Sequence, residues 1–198
     1  SLVGSEMCIR DRLIAMDFCN KKLIENEDLL ELDTIIIDHH VIDENLKINS
    51  IYELIDNNAS SASEIITFFM NQLHIQPSSL VSTLLLVGIE VDTNGYMMKT
   101  TSKTFLASSI LLDLKADCKI KTEILKETRE NYIKKANIIK RSYMVNDQMI
   151  ICILNNEIYD QKDLAEVADE LIQFEDVEAS FVIGKIEQNK VSISARSI

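Results

Sequence analysis

The chain has no tryptophan, a single proline and only four glycines in 198 residues. So few of the two residues that break helices and strands excludes a collagen-like or linker-rich architecture and allows long uninterrupted elements. Positive charge is also scarce, with 20 Lys and Arg against 32 Asp and Glu and a formal net charge of -12. A surface of that sign opposes a sequence-independent grip on long duplex DNA, which depends on cations neutralising phosphates, so no such partner is expected. The four cysteines, Cys8, Cys19, Cys118 and Cys152, form no CxxC pair and no zinc-like spacing. That excludes a disulfide framework and predicts a reducing, cytoplasmic setting. No run approaches the roughly 18 consecutive apolar residues of a membrane span. The most apolar run, Leu84 to Ile89, is far shorter, and no membrane partner is expected.

What is present is the composition of a folded globular chain, 46% hydrophobic and 26% charged, with length for one or two compact domains. Ser1 to Arg12 (SLVGSEMCIRDR) has no apolar period and reads as a non-native, adapter-like segment. Beyond it, Leu13 to Asp17 (LIAMD) and Thr34 to Asp38 (TIIID) are short apolar runs that each end in Asp. A polar stretch with Leu23, Leu29, Leu30 and Leu32 lies between them, which predicts strand, short helix, strand, both strands buried in a parallel sheet. Ligands bind at the carboxyl ends of such strands, where Asp17 and Asp38 would sit.

Ile51 to Ile55 reads as a further strand. Ser61-Ala-Ser-Glu64 reads as a capping box opening one helix, Pro77 and Ser78 open a second that ends near Gly88 to Asp92, and Thr101 or Ser102 caps a third through Leu114. Lys119 to Met144 is a long charged pattern without Gly or Pro, expected as a helical connector. Met149 to Leu154, Asp163 to Phe174, Ala179 to Ile186 and Lys190 to Ala195 then read as strand, helix, strand, strand. The fold class is therefore α/β, a parallel-sheet domain over 13–116, a connector over 117–146, and a smaller, incomplete α/β domain over 147–198.

Asp38-His39-His40 follows a strand of Thr and Ile that would fix the backbone from which both imidazoles project. Neutral imidazole and carboxylate oxygen suit divalent transition ions such as manganese. As a tripeptide alone it has little specificity. Joined with Asp17 upstream, Ala59-Ser-Ser61, and Gly88-Ile-Glu-Val-Asp92-Thr-Asn-Gly95 downstream, it resembles the DHH phosphoesterases. DLAEVADELIQFEDVEASFVIG from Asp163 and VSISARS to Ser197 resemble the DHH-associated substrate-binding domain.

The resemblance implies that Asp17 bridges two metal ions and that His39 and Asp92 ligate one of them. It implies that His40 faces the substrate phosphate while Asp38 orients a histidine, and that Arg196 and Ser197 meet substrate, Arg196 gripping a terminal phosphate. The implied cofactor is Mn2+, with Mg2+ or Co2+ as substitutes, and the implied activity is two-metal hydrolysis of short oligonucleotides, phosphoadenosine phosphate or cyclic and linear dinucleotides. A nanoRNase-like exonuclease is the nearest such enzyme, and a homodimer is compatible with it. An alternative from the same resemblance is a nucleic-acid-binding accessory module of a tRNA nucleotidyltransferase-like protein, or a catalytically inert piece. The family's N-terminal ligand motif would lie before this chain and its Gly-rich His motif after Ile198. His74, Cys19 and the Met97-Met98 pair are assigned no chemistry, the last two expected as packing residues.

Overall fold

The computed structural model describes residues 12–17, 32–41 and 49–197. It divides into two compact units, Ser1–Lys126 and Glu127–Ile198. None of the described helices is long and apolar enough to cross a membrane.

The first unit has a three-stranded parallel sheet, β1 (Arg12–Met16), β2 (Asp33–Asp38) and β3 (Ser50–Ile55), in that spatial order. β2 is central, and Thr34, Ile36 and Asp38 on one of its faces are buried, the period-2 signature of a half-covered strand. β1 departs from expectation: Ile14 is 59% and Met16 49% exposed, because among the described residues no element packs over it. The helix expected between β1 and β2, and Cys19, lie outside the described residues.

Four helices follow: α1 (Ala62–Gln72), α2 (Ser79–Asp92), α3 (Ser102–Asp113) and α4 (Cys118–Ile124). Ser61, Ser78 and Thr101 cap the first three, each accepting from the backbone N–H three residues on. The capping box expected at α1 is only half present. Ser61 accepts from the Glu64 amide at 3.0 Å, but the Glu64 side chain turns to Ser60 and Thr104 instead of to the Ser61 backbone. The reciprocal box is found at α3, between Thr101 and Thr104. At Gly88 the helices α1 and α2 approach so closely that a Cβ would stand 2.2 Å from Ser63 Oγ. A side chain there would push apart the helix whose last residue is Asp92.

The expected connector is two separate helices. α4 packs against α2, the chain leaves helix after Leu125, and Thr128 caps a new helix, α5 (Arg129–Ile139), that packs on α6 (Gln161–Leu171) in the second unit. A charged run without Gly or Pro thus still breaks where Thr128 offers its hydroxyl to the Asn131 amide. Tyr143 to Asn146, expected as helix, forms strand β4.

The second unit completes its sheet with β5 (Met149–Ile158), β6 (Ala179–Glu187) and β7 (Lys190–Ser197), in the order β4-β5-β6-β7. β5 and β6 run parallel through the α6 crossover, while the outer pairs are antiparallel. Leu164, Val167 and Leu171 on α6 are fully buried against Cys152, Leu154 and Val182 of the sheet. Lys135 of α5 lies 2.9 Å from both Glu127 and Glu170 and 3.5 Å from Glu166, tying α5 to α6.

Candidate metal centre

β1 and β2 run parallel, so both deliver their last residues to one edge of the sheet. Asp17 donates its amide to Ile37 O at 3.0 Å and leaves the strand with φ +54°, a left-handed turn that is uncommon for a residue with a Cβ. Strain at such a position is characteristic of functional sites.

Asp38 ends β2 fully buried. Its Oδ1 accepts the His40 amide at 2.8 Å and lies 2.9 Å from His40 Nδ1. A carboxylate that accepts at this atom assigns the proton to Nδ1 and leaves Nε2 as the outward nitrogen of His40. Asp38 therefore holds both the backbone turn and the His40 ring.

His39 is buried, and its Nε2 lies 3.3 Å from Asp17 Oδ1 and 3.8 Å from Asp92 Oδ2. Two atoms bound at right angles to one ion at about 2.1 Å would be about 3.0 Å apart. The observed spacings, 3.3 and 3.8 Å, are longer than that, and one imidazole with two carboxylates is a donor set suited to a divalent cation. Ligand atoms of Asp17, Asp38, His39 and His40 all lie within 4.8 Å of one another. Asp92 joins the group through His39. His39 Nδ1 is buried without a hydrogen-bond partner, so direction by a second group on its far side is absent among the described residues.

Burial raises the Asp92 carboxyl above the ordinary aspartate range, and the Asp17 charge adds to the rise, while His39, His40 and Lys99 oppose it. A carboxyl raised in the folded state adds stability while protonated and loses that contribution as pH climbs from the ordinary aspartate value through the raised one. With divalent ions chelated, Asp92→Asn is therefore expected to melt at a higher temperature than the parent at pH 7. The difference should shrink as pH falls through the carboxylate range, and thermal melts at neutral and acidic pH in a chelator check it. A variant that is less stable at pH 7 would contradict this.

A family model described as the DHH family N-terminal domain matches residues 4–89, from before β1 to within α2. The chain carries a DHH-family domain. The match begins inside the segment expected to be non-native, of which only Arg12 is described, as the first residue of β1. The DHH-containing chain is 34% identical over 196 residues to the cyclic-di-AMP phosphodiesterase GdpP of Bacillus subtilis, covering 94% of this chain and 29% of that protein. It is 39% identical over 102 residues to a probable bifunctional oligoribonuclease and PAP phosphatase, NrnA, of Streptococcus mutans, covering 50% of this chain and 32% of that one. An exopolyphosphatase-related protein from Bacteroides fragilis shares the fold at a TM-score of 0.80 and 17% identity, over 95% of this chain and 58% of the other. The chain thus spans about a third or less of these curated relatives.

In the second unit of this DHH protein, Arg196 is an internal residue of β7, paired in register with Ser180. Its guanidinium is already engaged: Nε and Nη2 hold both oxygens of Asp169 on α6, Nη2 at 3.0 Å, and Nη1 donates to Ala195 O at 2.9 Å. The bidentate edge expected to be free for a phosphate is occupied by a carboxylate of the same unit. Ser197 is paired in register with Ala179 and exposes its side chain. Met97 and Met98, expected to pack, are 59% and 41% exposed, because the chain turns through left-handed φ at Asn94, Gly95 and Tyr96 and carries them outward.

Two features were missed by sequence reasoning. Glu64 is buried and accepts from Ser60 N, Ser60 Oγ and Thr104 Oγ1, which only the packing of α1 on α3 reveals. Lys99 is the one fixed cation among the groups acting on Asp92. Its place seven residues after a candidate ligand was the available signal.

Proposed function

We propose that this chain supplies metal-binding and substrate-binding parts of a manganese-dependent phosphoesterase acting on dinucleotides, short oligonucleotides or phosphoadenosine phosphate. The observation that carries the reading is the convergence of His39 Nε2 with the Asp17 and Asp92 carboxylates at the carboxyl edge of the parallel sheet. The named activities of GdpP and NrnA, both directed at nucleotide phosphoesters, support that substrate class.

Asp17, His39 and Asp92 would hold the ion, which when bound lowers the pKa of water and offsets charge on phosphoryl oxygens. Three residues fill at most part of a six-coordinate shell, so a second ion needs ligands additional to these. Asp38 keeps His40 Nδ1 protonated, so His40 Nε2 would accept a proton from an attacking water or, once protonated, donate to a phosphoryl oxygen or a leaving group. Asp17 stands 3.5 Å from His40 Nδ1, so the same carboxylate borders both the ion and the ring. Arg196 would serve substrate by exchanging Asp169 for a phosphate or through its remaining N–H groups.

The test is turnover by the full-length gene product of linear diadenylate, cyclic diadenylate and phosphoadenosine phosphate, each with Mn2+ and with a chelator. Hydrolysis of at least one, restored by Mn2+ after chelation, is expected. Absence of metal-dependent hydrolysis of all three by folded protein would overturn the proposal.

A further inference from the structure

The last turn of α2 carries Glu90 and Asp92 and no basic residue, so two carboxylates stand at the negative end of the helix dipole. That arrangement opposes itself unless a cation is brought to it. Asp92 is also the more distant of the two carboxylates from His39 Nε2, at 3.8 Å against 3.3 Å for Asp17. Where this turn sits therefore decides whether Asp92 can share an ion with His39.

The cation comes from another helix. Lys121 Nζ of α4 pairs with Glu90 Oε2, and the two side chains are only 19% and 23% exposed. The pairs of Lys126 with Glu123 and of Lys190 with Glu187 are instead largely in solvent. Exposed pairs contribute little, whereas a pair withdrawn from water resists separation, because losing one partner strands the other. Side chains two positions apart on a helix point about 200° apart, so Glu90 and Asp92 leave α2 on opposite sides. Glu90 meets α4 and Asp92 meets the metal centre, so Lys121 holds the turn from behind.

α4 is itself fastened to the start of α2. Ser79 Oγ donates to Lys115 O at 2.6 Å, Ser82 Oγ donates to Leu114 O at 2.9 Å, and Thr83 Oγ1 accepts the Asp117 amide at 2.8 Å. The Asp117 carboxylate then caps α4 by accepting the Lys119 and Ile120 amides. With one end tied to the first turns of α2 and Lys121 tied to the last, α4 acts as a strut along that helix. Glu90 joins the strut to the chain beyond Asp92 as well, since its carbonyl accepts the Gly95 amide at 2.8 Å. One residue thus receives α4 through its side chain and the turn behind Asp92 through its backbone.

We propose that Lys121 is a positioning residue for the metal centre: paired with Glu90, it holds the last turn of α2 where Asp92 can share an ion with His39. The proposal rests on the metal-binding reading of Asp17, His39 and Asp92, and adds to it the residue that sets how well the third of these is presented. Lys121 acts through Glu90 and the helix and takes no part in the bond-breaking step.

The experiment uses the full-length gene product, stripped of metal and titrated with Mn2+ by calorimetry at a temperature where circular dichroism shows every variant folded. Lys121→Met keeps an apolar stem without the charge. It is expected to weaken Mn2+ binding about 10- to 100-fold, the range seen when a group that orients a ligand is lost. The sign is the diagnostic part, because deleting a nearby positive charge would by itself favour a cation. A pair that served stability alone would lower the melting temperature and leave the affinity of the folded protein unchanged. Lys121→Arg keeps the pair and should bind Mn2+ nearly as the parent does. If Lys121→Met does not fold, Lys121→Gln, which still donates to Glu90, decides the matter by a smaller weakening in the same direction. Mn2+ affinity equal to or tighter than that of the parent in the folded Met or Gln variant, or a loss just as large in Lys121→Arg, would overturn the proposal alone. A parent that binds no Mn2+ would overturn the metal-centre reading and the positioning with it. Binding that depends on Lys121 without any hydrolysis would leave the positioning standing and sink the phosphoesterase reading.

Discussion

His39→Ala in the full-length gene product is expected to lower Mn2+-dependent hydrolysis by roughly 10²- to 10³-fold, because an ion supplies several kcal/mol of charge stabilisation in such reactions. His39 Nε2 is the atom common to both carboxylate approaches, 3.3 Å from Asp17 and 3.8 Å from Asp92. Its removal leaves two acidic groups without the neutral donor between them. The same variant should lose the rise in melting temperature that Mn2+ gives the parent, since an ion that binds only the folded state stabilises by mass action. Far-ultraviolet circular dichroism should be unchanged, as the ring makes no hydrogen bond through Nδ1 among the described residues and follows the last residue of β2. Turnover and Mn2+ stabilisation both retained at parental levels would remove His39 from the centre.

The second large effect is on stability. Glu64→Ala should destabilise the first unit by roughly 3–4 kcal/mol, because it strands three buried donors at once. Glu64 is 1% exposed, and Ser60 N, Ser60 Oγ and Thr104 Oγ1 all donate to its Oε2 at 3.2, 2.6 and 2.9 Å. Glu64→Gln keeps an acceptor oxygen at the same point and should cost roughly 1 kcal/mol. The two units unfold against separate cores, so the measurement must be local. Amide hydrogen exchange of α1 and α3 under native conditions reports the first unit, with α6 as the internal reference. Equal protection of α1 in the Ala variant and the parent would show that Glu64 does not hold α1 to α3.

The strand ends were legible in the sequence because apolar runs terminating in Asp leave little freedom in a parallel sheet. Asp17 and Asp38 reach the same edge once β1 and β2 pair. Asp92 was legible for a similar reason, as the last residue of a helix whose start was marked by Pro77 and Ser78. Side-chain choices made across long separations were not. Arg196 selects Asp169, 27 positions away, only because β7 and α6 both lie against β6. A fork that reads as a free phosphate ligand is indistinguishable in sequence from one already filled. Glu64 shows the same limit at short range: the spacing of a capping box was present, but Thr104 of α3 competed successfully for the carboxylate. The break at Thr128 escaped notice because a helix can end on a local hydroxyl with no Gly or Pro to announce it.

Time enters the second unit through the parallel pairing of β5 with β6. β4 and β5 form a hairpin about Asp147 and Gln148, and β6 and β7 another that closes between Glu187 and Lys190. Hairpins of this kind close in about 1–10 μs, each needing only its own neighbours. Met149 meets Ala179 only after the chain has passed through α6 and returned, a closure that is paid in loop entropy before any contact rewards it. Of the three pairings in this sheet, β5 with β6 spans the longest stretch of chain and is the one expected to form last. A nascent chain that has left the ribosome only as far as Ile158 carries β5 with one bare edge, and it keeps that edge until Ala179 and the residues after it have been synthesised.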